Sequence, residues 1–238
     1  MPGKLYIIST PIGNLGDMTP RAIETLRAVD IAYSEDTRVS RRLFNHFDID
    51  TRLKRFDDKT SQHKIPEILN HLAAGSDIAL VSDAGTPVIS DPGMPLVDAA
   101  LNEDYEVIAI PGPSAATAAL SISGLPAHAY YFGGFLPRKS GKRESLLQSM
   151  DALNATLIFY ESPYRVVKVL QHLAELYPDR QAAIAREITK RHEELVRGSL
   201  AELAEEFDQR KASADAGKSA TIKGEFVILL SPLKTSIK

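Results

Sequence analysis

Ile78-Ala79-Leu80-Val81-Ser82-Asp83-Ala84-Gly85-Thr86-Pro87-Val88-Ile89-Ser90-Asp91-Pro92-Gly93 is the stretch whose reading decides the fold. Residues 78–81 are apolar and short enough for one buried strand. Two turn signals follow at once, over 83–87 and 90–93. Gly and Pro constrain the backbone there, with carboxylates and hydroxyls beside it. A connection needs one such turn; two in succession make a loop shaped for a ligand. In an open α/β sheet the mouths at the carboxyl ends of the strands are where ligands sit.

The same alternation runs outward in both directions. Apolar runs over 5–8, 30–34 and 106–110 predict further strands. Helical patterns lie between them, over 38–47, 65–74, 95–102 and 113–123. Another opens at Thr19-Pro20, with Thr as cap and Pro at the first helical position, and carries Ile23 and Leu26 on one face. This βαβα order predicts a parallel sheet with helices on its faces. Ser123-Gly124-Leu125-Pro126 breaks it, which puts a domain boundary after residue 124 and gives domains over 1–124 and 125–238. The second series predicts strands over 130–135, 156–160, 182–185 and 226–230, and helices over 141–150, 163–177 and 200–207. Residues 208–223 have no apolar period and read as a flexible, charged excursion.

Composition narrows the function classes. The 238 residues allow one large α/β domain or two small ones, and the 44% hydrophobic and 25% charged shares suit a globular protein. There is no Cys, which excludes disulfides, thiolate metal sites and cysteine nucleophiles. No apolar run approaches the roughly 18 residues of a membrane span. Met1-Pro2-Gly3-Lys4 leads into a strand without a signal-peptide pattern, so a cytoplasmic protein is expected. With a net charge of −3, any nucleic acid would have to be met by a local basic patch. The six His residues are scattered without metal-ligand spacing, so no metal is expected.

Two more loops follow predicted strands: Thr10-Pro11-Ile12-Gly13-Asn14-Leu15-Gly16 and Pro111-Gly112-Pro113-Ser114-Ala115. Taken singly, each is an ordinary turn or helix start. Three Gly/Pro-rich loops after strands of one parallel sheet should converge. Gly-x-Gly-x-x-Gly is absent, and Gly217-Lys218-Ser219 lacks the earlier Gly of a P-loop, so no phosphate cradle is expected. Basic residues group at Arg38–Lys59, Arg138–Arg143 and Arg186–Arg191. Such runs are usually solvated faces. Phe135 and Tyr164 near the second group suit a phosphate backbone with an unstacked base.

These motifs carry a family resemblance. Thr10 to Leu15, Ser34-Glu35-Asp36-Thr37-Arg38, Val81 to Gly93, Pro111 to Ala115 and Gly134-Phe135-Leu136-Pro137 stand in order. So do Phe159-Tyr160-Glu161-Ser162, Ala185-Arg186-Glu187-Ile188-Thr189-Lys190 and Lys223-Gly224-Glu225-Phe226. Together they resemble the ribosomal RNA small subunit methyltransferase I family, of the tetrapyrrole methylase-like fold, over nearly the whole chain. The resemblance implies a parallel-sheet N-terminal and a mixed-sheet C-terminal α/β domain. It also implies S-adenosylmethionine in the cleft between them, and a homodimer. The implied activity is 2′-O-methylation of a cytidine in the decoding region of small-subunit ribosomal RNA. Residues 211–222 depart from the family pattern as an insertion.

By the same resemblance, cofactor contacts fall to Pro11, Thr86, Ile89, Ser114 and Ala115, with Tyr160, Ala185 and Phe226 from the second domain. Arg38, Arg138, Arg186 and Lys190 are the candidates for RNA phosphates. No catalytic residue transfers. Asp36, Asp83 and Glu187, each in a matched motif near a predicted strand end, are candidates for the proton acceptor. For each of them a turn cap or an ion pair is the bland alternative. Two rival functions remain: C-methylation of a tetrapyrrole on the same fold, and RNA binding or assembly without catalysis.

Overall fold

The computed structural model describes residues 1–215 and 222–233. The chain divides into two compact units, Met1–Ser114 and Ala115–Lys238.

The first unit is built on five parallel strands: β1 (Leu5–Ile8), β2 (Ile31–Ser34), β3 (Arg52–Arg55), β4 (Ile78–Val81) and β5 (Val107–Ile110), in the order β3-β2-β4-β1-β5. Leu5 stands level with Ile78 on one side and Val107 on the other, which fixes the register of the centre. Because side chains alternate along a strand, neighbours serve opposite faces. Val81 and Ile8 join Leu26 of α1 (Pro20–Ala28) and Phe44 of α2 (Thr37–His46). Leu80 and Leu5 join Ile68 of α3 (Ser61–Ala73) and Leu96 of α4 (Met94–Asn102). Thr19 caps α1 by accepting the Ala22 amide at 3.2 Å, with Pro20 at the first position, as the sequence predicts.

β3 was not expected. Its residues, Arg-Leu-Lys-Arg, read as part of a basic run, yet they pair with β2 along the edge of the sheet. Only Leu53 is apolar, so an edge strand of this composition carries no hydrophobic period.

The second unit contains α5 (Ala115–Ser123), β6 (Tyr130–Phe135), α6 (Ser140–Ser149), β7 (Thr156–Glu161), α7 (Val166–Leu176) and β8 (Gln181–Arg186). It ends with β9 (Glu194–Ser199), α8 (Leu200–Asp215) and β10 (Phe226–Leu230). The strand order is β6-β7-β10-β8-β9; β6 is parallel to β7 and the other pairs are antiparallel. The sheet is therefore mixed, as the resemblance implied. Its core gathers Phe159, Leu170, Ile184, Leu203, Phe207 and Ile228.

Three differences from the sequence reading have physical causes. α5 packs on β7, β8 and β10 through its small buried residues, Ala116 and Ala119 among them, so the units divide at Ser114/Ala115 rather than after residue 124. β9 went unseen because Glu194-Leu195-Val196-Arg197-Gly198-Ser199 has two adjacent apolar residues and no alternation. α8 continues through Asp215, so residues 208–215 are helix and not a flexible excursion. Arg210 supports that extension by pairing with Glu206 one turn back and with Glu194 of β9, at 2.6 and 2.7 Å. Of the insertion over 211–222, and of the P-loop fragment within it, residues 216–221 lie outside the described residues.

Candidate functional site

The three loops expected to converge do so at the carboxyl end of the first sheet. Thr10 and Gly85 exchange main-chain hydrogen bonds at 2.9 and 3.1 Å, joining the loop after β1 to that after β4. The Thr10 hydroxyl donates to the Ser82 carbonyl at 3.0 Å, and the Ser82 hydroxyl to the Gly85 carbonyl at 2.9 Å. Ser9 Oγ and Thr86 Oγ1 are 2.9 Å apart, and Thr86 reaches the Pro113 carbonyl in the third loop at 3.4 Å. A Cβ on Gly112 would stand 2.9 Å from Ser9 Cβ, so glycine permits the approach of the first and third loops.

The loop after β4 is held in an uncommon backbone shape. Val88 and Ser90 have φ of 75° and 63°, and Gly93 lies at 136°. A β-branched residue in the left-handed region is an outlier, and such outliers concentrate at ligand sites. The outcome is that Ile89 projects with 48% of its surface exposed.

Carboxylates border this mouth. Asp36 caps α2 by accepting the Arg38 amide at 2.9 Å and pairs with the Arg38 guanidinium at 2.6 Å, which holds its carboxyl well below the usual range. Asp83 accepts the Asp36 amide at 3.1 Å; burial, and then the Asp36 charge, push its carboxyl up. Glu35 is raised by burial and by Asp83. Asp91 is raised to about 6, by burial first and then by Glu35, against a hydrogen bond from Ser82. Glu35 and Asp91 were missed as members of this group, although both stand in the motifs that carry the resemblance. A second carboxylate in the loop that already holds Asp83 was the available signal.

The second unit carries the remaining candidates. Tyr160, Val227 and Ala185 lie in one row across β7, β10 and β8. The Tyr160 ring meets Phe132 and Phe135 edge-on at 4.8 and 5.9 Å. Phe226 is a core side chain stacked edgewise on Phe207, and Ala185 is fully buried, so each can offer a ligand only its main chain. Glu187, at φ 50°, accepts Lys190 at 2.8 Å and the Glu225 amide at 2.9 Å. Burial pushes its carboxyl up, but these bonds leave it below the usual range. Lys190 also pairs with Glu225, while Arg186 donates to the Lys223 carbonyl at 2.7 Å and faces Glu194. Arg138 is exposed and takes part in no ion pair among the described residues.

Among the described residues no group of His, Asp and Glu is placed to hold a metal, and no helix is long and apolar enough to cross a membrane. The mouth of the first unit offers hydroxyls, main-chain carbonyls and raised carboxylates, a donor set for a cation rather than for a phosphate.

Comparison with known proteins places the chain in a family. The family model for tetrapyrrole (corrin/porphyrin) methylases matches residues 4–204. The chain is 46% identical over 229 residues to the ribosomal RNA small subunit methyltransferase I of Mesorhizobium japonicum, covering 96% of this chain and 75% of that one. It is 46% identical over 209 residues to the protein of that name from Thermotoga maritima, covering 88% and 94%. This chain belongs to the ribosomal RNA small subunit methyltransferase I family. Membership makes it an S-adenosylmethionine-dependent methyltransferase. The fold is shared more widely: uroporphyrin-III C-methyltransferase from Thermus thermophilus, solved with S-adenyl homocysteine, superposes with a TM-score of 0.61 at 20% identity, covering 95% and 97%.

Proposed function

We propose that the chain methylates the ribose 2′-oxygen of a cytidine in the decoding region of small-subunit ribosomal RNA, with Asp83 taking the proton. Family membership over nearly the whole chain carries the reaction class. S-adenosylmethionine, when bound, supplies an electrophilic methyl on a sulfonium with a neutral thioether as leaving group. The mouth of the first unit fits such a ligand. Gly112 leaves main chain exposed, Thr86 brings a partly buried hydroxyl, Ile89 supplies exposed apolar surface, and Ser114 lies in the third loop; Pro11 is the buried member of the set. Ala115, Tyr160, Ala185 and Phe226 are the second unit's part in the same reading.

Asp83 is preferred as proton acceptor because of what surrounds the three candidates. Asp36 and Glu187 each face a cation and hold their negative charge firmly. Asp83 faces another carboxylate and is partly buried, so its affinity for a proton is raised. A base so placed contributes about 10²–10⁴-fold. Alignment of the oxygen with the methyl supplies much of the remainder. Arg138 takes RNA phosphates in this reading; Arg38, Arg186 and Lys190 reach them only by giving up carboxylate partners. The homodimer implied by the resemblance belongs to the same reading, and sedimentation tests it.

The deciding experiment supplies small ribosomal subunits from cells lacking this protein, with a porphyrinogen as the competing substrate. Ribose methylation of the subunit RNA is expected. Asp83→Asn should lower kcat at least a hundredfold while calorimetric affinity for S-adenosylmethionine holds. Methylation of the porphyrinogen instead, or of a base, overturns the reading.

A further inference from the structure

The ends of β6 and β7, in the second unit, carry an exposed aromatic surface. Tyr164 is 93% exposed and Phe135 55% exposed. Each is presented by a specific device. The β6–β7 register shifts between Phe132 and Phe135, across Gly133 and Gly134, and Gly134 sits at φ 62°. A bulge of this kind re-aims the side chain that follows it. Gly133 is required there because a Cβ would come 2.4 Å from the Phe159 ring. Tyr164 rides on the turn after β7, closed by the Arg165 and Val166 amides on the Ser162 carbonyl at 3.1 and 3.0 Å.

Beneath these two turns lies a buried ionic network. The Glu161 carboxylate, without solvent exposure, accepts the Ser162 amide at 2.8 Å and faces Arg165 at 3.1 Å. Arg165 donates onward to the Leu136 carbonyl at 2.7 Å, which ties the Tyr164 turn to the segment just after Phe135. Arg143, also buried, donates to the Pro137 carbonyl at 3.4 Å and to His172 Nδ1 at 3.0 Å. Ordering two solvent-facing aromatics with buried charge is costly, and the fold derives no core packing from Tyr164. Arg138, Lys139 and Lys142 follow directly, exposed and outside any ion pair among the described residues.

We infer that Phe135 and Tyr164, held by Arg165 across the two turns, form a stacking platform for unpaired bases of the RNA, with Arg138, Lys139 and Lys142 taking its phosphates. Cations beside exposed aromatic faces are the recognition chemistry of single-stranded nucleic acid. The inference rests on the RNA reading above and names the surface that carries it. Arg165 is a positioning residue; it acts through Tyr164.

Methyl transfer to subunits lacking the modification tests it. Tyr164→Ala should raise KM for the subunit about tenfold or more and leave KM for S-adenosylmethionine unchanged. Tyr164→Phe, which keeps the ring, should restore the wild-type value. Arg165→Met should weaken subunit binding too, and the double variant should lose less than the product of the two single effects, whereas a purely structural role would give independent losses. Arg138→Ala should flatten the salt dependence of RNA binding by about one unit of slope. An unchanged subunit KM in Tyr164→Ala overturns the platform while leaving the RNA reading intact. So does a shift of that variant to a smaller sedimenting species, which would make the face an interface between copies. Failure of the wild-type protein to methylate subunits overturns the RNA reading itself.

Discussion

Ser9 Oγ and Thr86 Oγ1 meet at 2.9 Å across 77 residues of chain, and Thr86 continues to the Pro113 carbonyl. One hydroxyl thus joins all three loops of the first unit. Thr86→Val keeps the shape and deletes that oxygen, leaving Ser9 and Pro113 without this partner. A loss of about 1–3 kcal/mol in stability is expected, with at least a tenfold fall in S-adenosylmethionine affinity by calorimetry. Wild-type affinity in that variant would remove Thr86 from the cofactor site.

Gly93 sits at φ 136°, and a Cβ there would lie 2.7 Å from Leu80 Cδ2 and 3.1 Å from Val88 Cγ2. Gly93→Ala combines backbone strain of about 1–3 kcal/mol with displacement of the loop that carries Ile89. Reduced cofactor binding together with a lowered Tm is the expected pair of results. A lowered Tm with intact binding would mean that the loop shape serves the fold alone.

The pH dependence of stability tests the carboxylate group. Asp91 binds its proton more tightly in the folded chain, up to about 6. Its stabilising contribution is present at acid pH and is lost as pH rises from the ordinary aspartate range through about 6. Asp91→Asn removes the penalty of ionising there. The Tm difference between variant and wild type should therefore move in the variant's favour between pH 4.5 and pH 8, a window set by this group. A constant difference would show that Asp91 is not held up.

Among the described residues Glu161 is the one carboxylate in an ion pair with Arg165, and its side chain is fully buried. Glu161→Gln keeps the volume and strands the guanidinium. Breaking one half of a buried pair costs about 3–5 kcal/mol, to be read by urea unfolding. A change below about 1 kcal/mol would show that the arginines are satisfied by the Leu136 and Pro137 carbonyls without it.

Most of the framework was legible in the chain because its signals are local. Thr19-Pro20 marks a helix start whatever surrounds it, and residues 78–81 followed by Gly and Pro mark a strand and its loop. β3 and β9 were not legible, since Arg-Leu-Lys-Arg and Glu-Leu-Val-Arg-Gly-Ser become strands only through the partners beside them. The site divides in the same way. Loop convergence followed from strand order, but the raised carboxyls of Glu35 and Asp91 depend on burial and mutual charge, which no linear spacing displays. Arg186 and Lys190 looked free for phosphate because Glu194 and Glu225, their partners, arrive from other strands or loops.

The composition that hid β3 has a further effect. As the last strand of its sheet it leaves a row of main-chain donors and acceptors without a neighbouring strand, which is a template for aggregation. Arg52 and Arg55 stand exposed on that margin, Arg55 paired with Asp57, while Lys54 turns to Glu67 at 2.6 Å, so an approaching strand meets charged side chains before it can add on. The four residues least like a strand by sequence thus form the margin of a five-stranded sheet, where exposed Arg52 and Arg55 disfavour the addition of a sixth strand.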